Sequence, residues 1–176
     1  MINVELGDFA KNINYYFSLG ENYFISHNKK TYVLVGEQND VDREFCQKND
    51  IEIIDIKHRG GTIVLDKTAI GFAHIGRDID NVFSNKMMFD FVVFLIEKGL
   101  DAVLCDNDIL IDGYKVASAG KTSFGNETYF TFQFSLKNDR ELIEQICTKP
   151  MVKVPKGLSD FGLTREDILS FIERTV

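Results

Sequence analysis

The stretch that most constrains the fold has the pattern of a β-hairpin with a tight turn. Residues 106–120 read DNDILIDGYKVASAG, and the two isoleucines alternate with polar or outward positions, as in a strand with one buried face. Asp112-Gly113 then supplies a pair of residues that accepts positive φ at both centres of a two-residue turn. The pattern predicts two antiparallel strands, 108–111 and 114–120.

The return strand of this hairpin carries a lysine among small residues. An alternation of two divides it into two faces, Lys115, Ala117 and Ala119 on one and Val116, Ser118 and Gly120 on the other. Small residues leave room for a ligand to lie against the backbone. The spacing alone is better explained by an exposed lysine on an ordinary hairpin.

Length and charge limit the classes of protein to consider. A chain of 176 residues suits one domain, residues 1–176. A net charge of −7 and the lack of a long basic run argue against a nucleic-acid partner. No apolar run reaches the roughly 18 residues of a membrane span, and we expect no membrane partner. Three scattered cysteines with no metal-type spacing favour reduced thiols and a cytoplasmic location.

Periodicity and turn residues predict mixed helices and strands along the rest of the chain. Asp8 and Asp40 are the expected N-caps of the first two helices, and Thr164 with Asp167 forms a capping box for the last. The predicted helices are 8–27, 40–48, 81–98, 138–147 and 165–174, and the predicted strands outside the hairpin are 31–37, 51–57, 68–76, 102–105 and 128–136.

A second candidate binding segment lies between two predicted strands. Gly60 and Gly61 would let the backbone approach a ligand without a Cβ in the way. Backbone N–H groups and Arg59 would then hold a phosphate or a carboxylate. Taken alone, the segment is better explained as a plain Gly-Gly hairpin with an exposed arginine.

The hairpin resembles one found in the superfamily of lipoate–protein ligases, biotin–protein ligases and octanoyltransferases. The shared pattern is Asn-Asp, two apolar positions one residue apart, Asp-Gly, and a lysine followed by an apolar and two small residues, here from Asn107 onward. The resemblance implies that Lys115 is catalytic and contacts the carbonyl and phosphate of an acyl-adenylate, or the acyl thioester in the transferases. It further implies a set of binding residues: Arg59, Gly60, Gly61, Thr62, Asp108, Ser118 and Gly120.

The fold implied by this resemblance is α/β (α+β), with a mixed, largely antiparallel sheet and packed helices, and without the C-terminal accessory domain of many lipoate ligases. The implied reaction attaches lipoate, octanoate or biotin to a lysine of a lipoyl- or biotinyl-carrier domain protein. It proceeds through an acyl-AMP made with ATP and Mg²⁺. We expect no metal site built from the protein's own side chains.

The chain departs from the family at several of these positions. Asp55 and Ile56 fall where the ligases have arginines, Thr62 replaces a glycine, and Leu65 replaces a histidine. Fewer cations weaken the case for tight adenylate binding. A non-catalytic member that binds a ligand or a protein is therefore the main alternative, and an unrelated α/β binding domain is a further one.

Another departure concerns the octanoyltransferases. The Arg59-Gly60-Gly61 sequence resembles the octanoyltransferase motif more than the ligase motif. However, Glu127 stands where the octanoyltransferases carry a nucleophilic cysteine. We therefore expect no covalent thioester at that position.

Overall fold

The computed structural model describes residues 1–55, 62–76, 81–124 and 127–176. Within them the strands are β1 (Ile2–Glu5), β2 (Asn22–His27), β3 (Tyr32–Val35), β4 (Glu52–Asp55), β5 (Thr62–Leu65), β6 (Ile70–Gly76), β7 (Ala102–Cys105), β8 (Asp108–Ile111), β9 (Tyr114–Phe124) and β10 (Glu127–Phe134). The helices are α1 (Leu6–Lys11), α2 (Ile13–Ser18), α3 (Arg43–Lys48), α4 (Asn81–Glu97), α5 (Arg140–Ile146) and α6 (Arg165–Thr175). No helix of the described part has the length and apolar content to cross a bilayer.

These strands form two sheets. The larger has seven strands in the order β1-β2-β6-β10-β9-β8-β7, and the smaller has three in the order β4-β3-β5. In the larger sheet β1 and β2 run parallel and the other neighbours are antiparallel. The predicted fold class, mixed α/β with a largely antiparallel sheet, is confirmed. The separation of three strands into a second sheet was not predicted.

The main core lies between the larger sheet and helices α4 and α6. Alternate residues of β10, namely Phe130, Phe132 and Phe134, point into it and are almost fully buried. The Phe91 ring of α4 lies 4.9 Å from the rings of both Phe134 and Phe171. Burying a side chain of this size contributes about 1.5–3 kcal/mol. This packing leaves the opposite face of the sheet available for a binding site.

The predicted helix 8–27 is wrong over its second half. The helical part ends by Ser18, Gly20 has a φ of +75°, and residues 22–27 form strand β2. Phe24 fits the periodicity of a helix and that of a strand. Residues 22–27 form a strand because they pair with β6 on one side and with β1 on the other. The N-cap is Glu5, whose side chain accepts a bond from the Asp8 amide, and not Asp8 itself.

The second predicted cap is also wrong. Asp42 caps α3, with its carboxylate 2.9 Å from the Phe45 amide nitrogen. Asp40 is therefore free of the helix and turns towards β5 instead. By contrast, the Thr164–Asp167 capping box at α6 and the positive φ values of Asp112 and Gly113 are confirmed.

Candidate functional site

A cleft of about 470 Å³ lies between the two sheets, on the face of the larger sheet that does not carry the main core. One wall consists of residues from β8, β9 and β10, and the other consists of all four residues of β5. Segment 147–155, which follows α5, lines a third side.

A row of residues in register crosses the larger sheet, and three of them, Gln133, Ser118 and Asp108, line the cleft. Ser26 pairs with Gly71, Gly71 with Gln133, Gln133 with Ser118, and Ser118 with Asp108. A Cβ on Gly71 would overlap the Ser26 hydroxyl and approach the Gln133 amide. Glycine at this position therefore makes room for its two polar neighbours.

A β-bulge in the hairpin brings Lys115 and Ser118 to the same face. Ala117 pairs with Ile109 and Lys115 pairs with Leu110, so Val116 is an extra residue in β9. The predicted alternation, which separated Lys115 from Ser118, is therefore wrong across Val116. Both residues line the cleft.

Asp108 is bound by two lysines, one on each carboxylate oxygen. Lys115 Nζ lies 2.9 Å from Oδ1, and Lys153 Nζ lies 2.8 Å from Oδ2. Burial raises the pKa of Asp108, but the hydrogen bonds from Lys153 and Lys115 outweigh that effect and hold the pKa below its usual value. The hydrogen bond to Asp108 raises the pKa of Lys153. Asp108 and Lys153 are therefore both charged at neutral pH.

The segment that carries Lys153 is attached to the hairpin by main-chain bonds. The Lys115 amide donates to the Val154 carbonyl at 2.9 Å, and the Lys156 amide donates to the Lys115 carbonyl at 2.9 Å. A parallel bridge pairs Lys115 with Pro155. The backbone of Lys115, at the bulge, is thus fixed by residues some forty positions later in the chain.

The β5 side of the cleft carries a second acid. Thr62 Oγ1 donates to Asp40 Oδ1 at 2.6 Å. Burial raises the pKa of Asp40, but the bond from Thr62, further backbone bonds and the charge of Lys149 lower it overall. Burial raises the pKa of the Cys147 thiol, which also lines the cleft, and the nearby Asp40 raises it further.

Four of the residues predicted to form the site lie in this cleft: Thr62, Asp108, Lys115 and Ser118. Gly120 lies two positions beyond Ser118 on β9 and is not among the cleft residues; its carbonyl accepts a bond from Thr131 Oγ1 at 3.5 Å. Arg59, Gly60 and Gly61 lie outside the described residues. The resemblance implies that these residues share one binding site with Lys115, and this stays a prediction; Thr62, the next residue, lines the same cleft as Lys115.

Asp40, Gln133 and Lys153 are among the polar cleft residues that had not been predicted as part of the site. The alternation of β10 gives a signal for Gln133, because it sits on the face opposite Phe132 and Phe134. Lys153 has no comparable signal, since its partner Asp108 is 45 residues away in sequence. No group of three or more His, Cys, Asp or Glu side chains is arranged to hold a metal ion in the part of the chain that the structure describes.

Several solved structures share this architecture. A structure of lipoate-protein ligase A bound with ATP superposes with a TM-score of 0.77 at 17% identity, covering 99% of this chain and 81% of that one. A bipartite lipoate protein ligase from Thermoplasma acidophilum, described with its E2 lipoyl domain, gives 0.76 at 17%, covering 99% and 80%. A mutant biotin protein ligase from Aquifex aeolicus in complex with biotin gives 0.57 at 11%, covering 99% and 66%.

The likeness to known proteins is found by comparison of structures and not by comparison of sequences. No family model and no curated protein matches the chain. The likeness therefore concerns the backbone, and it extends over 99% of this chain. The expected resemblance is confirmed at that level: the chain has the fold of the lipoate and biotin protein ligases.

Proposed function

We propose that this protein attaches a lipoyl, octanoyl or biotinyl group to a lysine of a carrier domain through an acyl-AMP intermediate. The observation that carries the proposal is the Lys115–Asp108 pair, which lies 2.9 Å apart in a cleft between the two sheets. Apolar side chains, among them Ile63, Val64 and Met151, line the same cleft. A chain of methylene groups with an anionic head fits this combination of surfaces.

In the proposed reaction, a carboxylate oxygen of the acid attacks the α-phosphorus of Mg·ATP, and pyrophosphate leaves. The neutral amine of the carrier lysine then attacks the acyl carbonyl, AMP leaves, and the amine loses a proton. Lys115 donates hydrogen bonds to the carbonyl oxygen and the phosphate, where negative charge develops. Asp108 holds the lysine in place. Electrostatic stabilisation by one such donor is commonly worth about 3–4 kcal/mol.

The structural neighbours support the kinds of ligand and partner in this proposal. One was determined with ATP and another with biotin, and the Thermoplasma ligase was described with an E2 lipoyl domain. Thr62 and Ser118 are the proposed binding residues within the cleft, and Arg59, Gly60, Gly61 and Gly120 are proposed by resemblance. Cys46, Cys105 and Cys147 are free thiols, which supports the proposed cytoplasmic location.

One observation favours a second candidate, a ligand-binding protein without ligase activity. Asp55, at the end of β4, occupies a position where the resemblance implies an arginine, and it forms a bidentate pair with Arg43. An aspartate at this position means that one cation expected to bind the phosphate of the adenylate is missing. The second candidate keeps the acyl cleft and omits adenylation.

Acyl transfer to a lipoyl domain tests the first candidate. The protein is incubated with Mg·ATP, an unmodified lipoyl domain and either lipoate, octanoate or biotin, and the mass of the lipoyl domain is measured. We expect an amide-linked adduct with one of the acids, and none with Lys115→Ala. Lys86→Ala, which removes an exposed lysine of α4, is the matched control and should retain full transfer.

Thermal shifts with the same acids and with lipoyl-AMP separate the two candidates, because a ligand of the folded state raises the melting temperature. A shift without transfer would support the ligand-binding protein. If the protein shows no thermal shift and no transfer, both candidates are ruled out.

A further inference from the structure

The side chain of Lys153 makes two contacts that are not needed to hold its segment in place. Its ammonium donates to Asp108 Oδ2 at 2.8 Å and to the Cys105 carbonyl at 3.2 Å. The segment around it is already held by the two main-chain bonds at Lys115, and Asn138 Nδ2 donates to the Lys156 carbonyl at 2.9 Å. The segment therefore has three anchors that do not involve the Lys153 side chain.

The charges around Asp108 do not balance. Lys115 and Lys153 share this one carboxylate, and the next acid, Asp106, lies 3.8 Å from Lys153 Nζ with its side chain 89% exposed. An exposed acid at that distance is largely screened by water. Within the described residues, and with the exposed Asp106 discounted, the two ammonium groups and the Asp108 carboxylate thus retain about one positive charge beside the cleft.

Both ammonium groups also keep hydrogen-bonding capacity. Each has three N–H donors. Asp108 is the acid paired with Lys115 among the described residues, and Lys153 uses two donors, on Asp108 and the Cys105 carbonyl. Both lysines line the cleft, with side chains 37% and 25% exposed. They offer N–H groups from two sides of a single carboxylate.

We infer that Lys153 is a second cation of the acyl site, and that with Lys115 it binds the anionic head group of an acyl ligand, a carboxylate or a phosphate. This inference rests on the proposed function and adds a residue from outside the hairpin to its binding site. Asp108 positions both lysines and sets the spacing between them.

Calorimetric titration with octanoate and with the neutral octanamide tests this role, because the two ligands share the chain and differ in charge. We expect Lys153→Met to weaken octanoate binding about tenfold, the loss of one charge-assisted bond at a half-exposed site, and to leave octanamide binding unchanged. Lys153→Arg keeps the charge and should retain most of the preference for octanoate. Octyl phosphate in place of octanoate distinguishes a phosphate site from a carboxylate site.

Lys156→Met is the matched control. It removes the same charge from the same segment, but its ammonium lies over the rings of Tyr114 and Phe161, at 4.4 and 5.2 Å, away from the cleft. This variant should bind octanoate as the unmodified protein does. Circular dichroism and the melting temperature show that each variant is folded.

Three outcomes would overturn the inference. Equal weakening of octanoate and octanamide by Lys153→Met would mean that Lys153 shapes the wall and does not bind the anion. If Lys153→Met leaves octanoate binding unchanged, Lys153 is not part of the binding site, while the proposed function stands. Failure of the unmodified protein to bind any of these ligands would overturn the inference, and the transfer assay with lipoate and biotin would then decide the proposed function separately.

Discussion

Asp108 keeps two positive charges at a fixed spacing in a partly enclosed cleft. Its own side chain is 17% exposed, and its pKa is held below the usual value by the bonds from Lys153 and Lys115 in spite of burial. Two ammonium groups that lose this carboxylate would repel each other across a short distance. The acid therefore matters for stability as well as for the proposed chemistry.

Asp108→Asn should lower the free energy of unfolding by about 1–3 kcal/mol, because it removes the negative charge and one of the two acceptor oxygens that the two lysines share. Adding Lys153→Met to this variant should restore part of the loss, since one of the two repelling charges is gone. Urea unfolding at neutral pH measures both effects.

The control for this pair is Asp112→Asn. Asp112 is exposed and has a φ of +49°, which asparagine accepts, so stability should stay within about 0.5 kcal/mol. A double variant no more stable than Asp108→Asn alone would contradict the electrostatic explanation.

Cys147 lines the cleft of the proposed chemistry, and we expect its thiol to be inert. Burial and the nearby Asp40 raise its pKa, which leaves little of the reactive thiolate at neutral pH. Incubation with an octanoyl thioester should give no covalent adduct by intact mass. An adduct mapped to Cys147, or to Cys105 beside the hairpin, would move the protein to the transferase class.

At the scale of elements, several local patterns were predicted correctly, whereas the predicted N-caps Asp8 and Asp40 were wrong and the contacts between distant segments were missed. The turn at Asp112-Gly113, strand β8 and the capping box of α6 depend on residues within a few positions of one another. Strand β2 was mistaken for the end of a helix, because both periods fit residues 22–27 and only pairing with β6 and β1 selects the strand. Local sequence does not contain that information.

The same reasoning applies to the candidate site. Lys115 and Asp108 were predicted because both belong to the hairpin pattern on which the family resemblance rests, and that hairpin is present. The bulge at Val116 was missed; there the Lys115 backbone pairs with segment 154–156, a contact that the hairpin sequence alone does not reveal. Lys153 was missed for the same reason.

Helix α6 is joined to α4 by a charge pair at its capping box. Asp167 accepts bonds from Lys98 at 2.7 Å and from the Thr164 amide at 2.9 Å. The bond from Lys98 and those from Thr164 lower the pKa of Asp167 to about 2. Because the folded pKa lies below the unfolded value of about 3.9, this stabilisation is complete above about pH 4 and is lost as the pH falls towards 2.

Asp167→Asn should therefore cost about 1 kcal/mol at neutral pH, and the difference from the unmodified protein should shrink between pH 4 and pH 2. Urea unfolding at several pH values gives the comparison. Glu166→Gln, in the neighbouring position of the same first turn, should show a smaller effect. A difference that is unchanged at pH 2 would show that the charge of Asp167 contributes nothing.

At the scale of the whole molecule, one aromatic core holds helices α4 and α6 on the larger sheet. Phe91 is fully buried and contacts the rings of both β10 and α6. Phe89, on the same helix, is 62% exposed. A Phe→Ala substitution can therefore be compared at two positions of one helix, with loss of core packing at Phe91 and without it at Phe89.

Phe91→Ala should lower the free energy of unfolding by about 3–5 kcal/mol, through lost transfer energy and the cavity left behind. Phe89→Ala should change it by about 0.5 kcal/mol or less. Chemical denaturation measures both. Equal effects at the two positions would contradict the described burial of α4.

The bond between Asp108 and Lys153 also bears on the order in which the chain acquires its parts. Hairpin β8–β9 closes across a two-residue turn, an event of about 1–10 μs. Joining Asp108 to Lys153 requires closure of a 45-residue loop, which carries a larger entropic cost. A nascent chain released only as far as α5 would present Lys115 on the hairpin with its bond to Asp108 and without the pair between Asp108 and Lys153. The cleft would gain its second lysine only when segment 154–156 emerges and pairs with the Lys115 backbone.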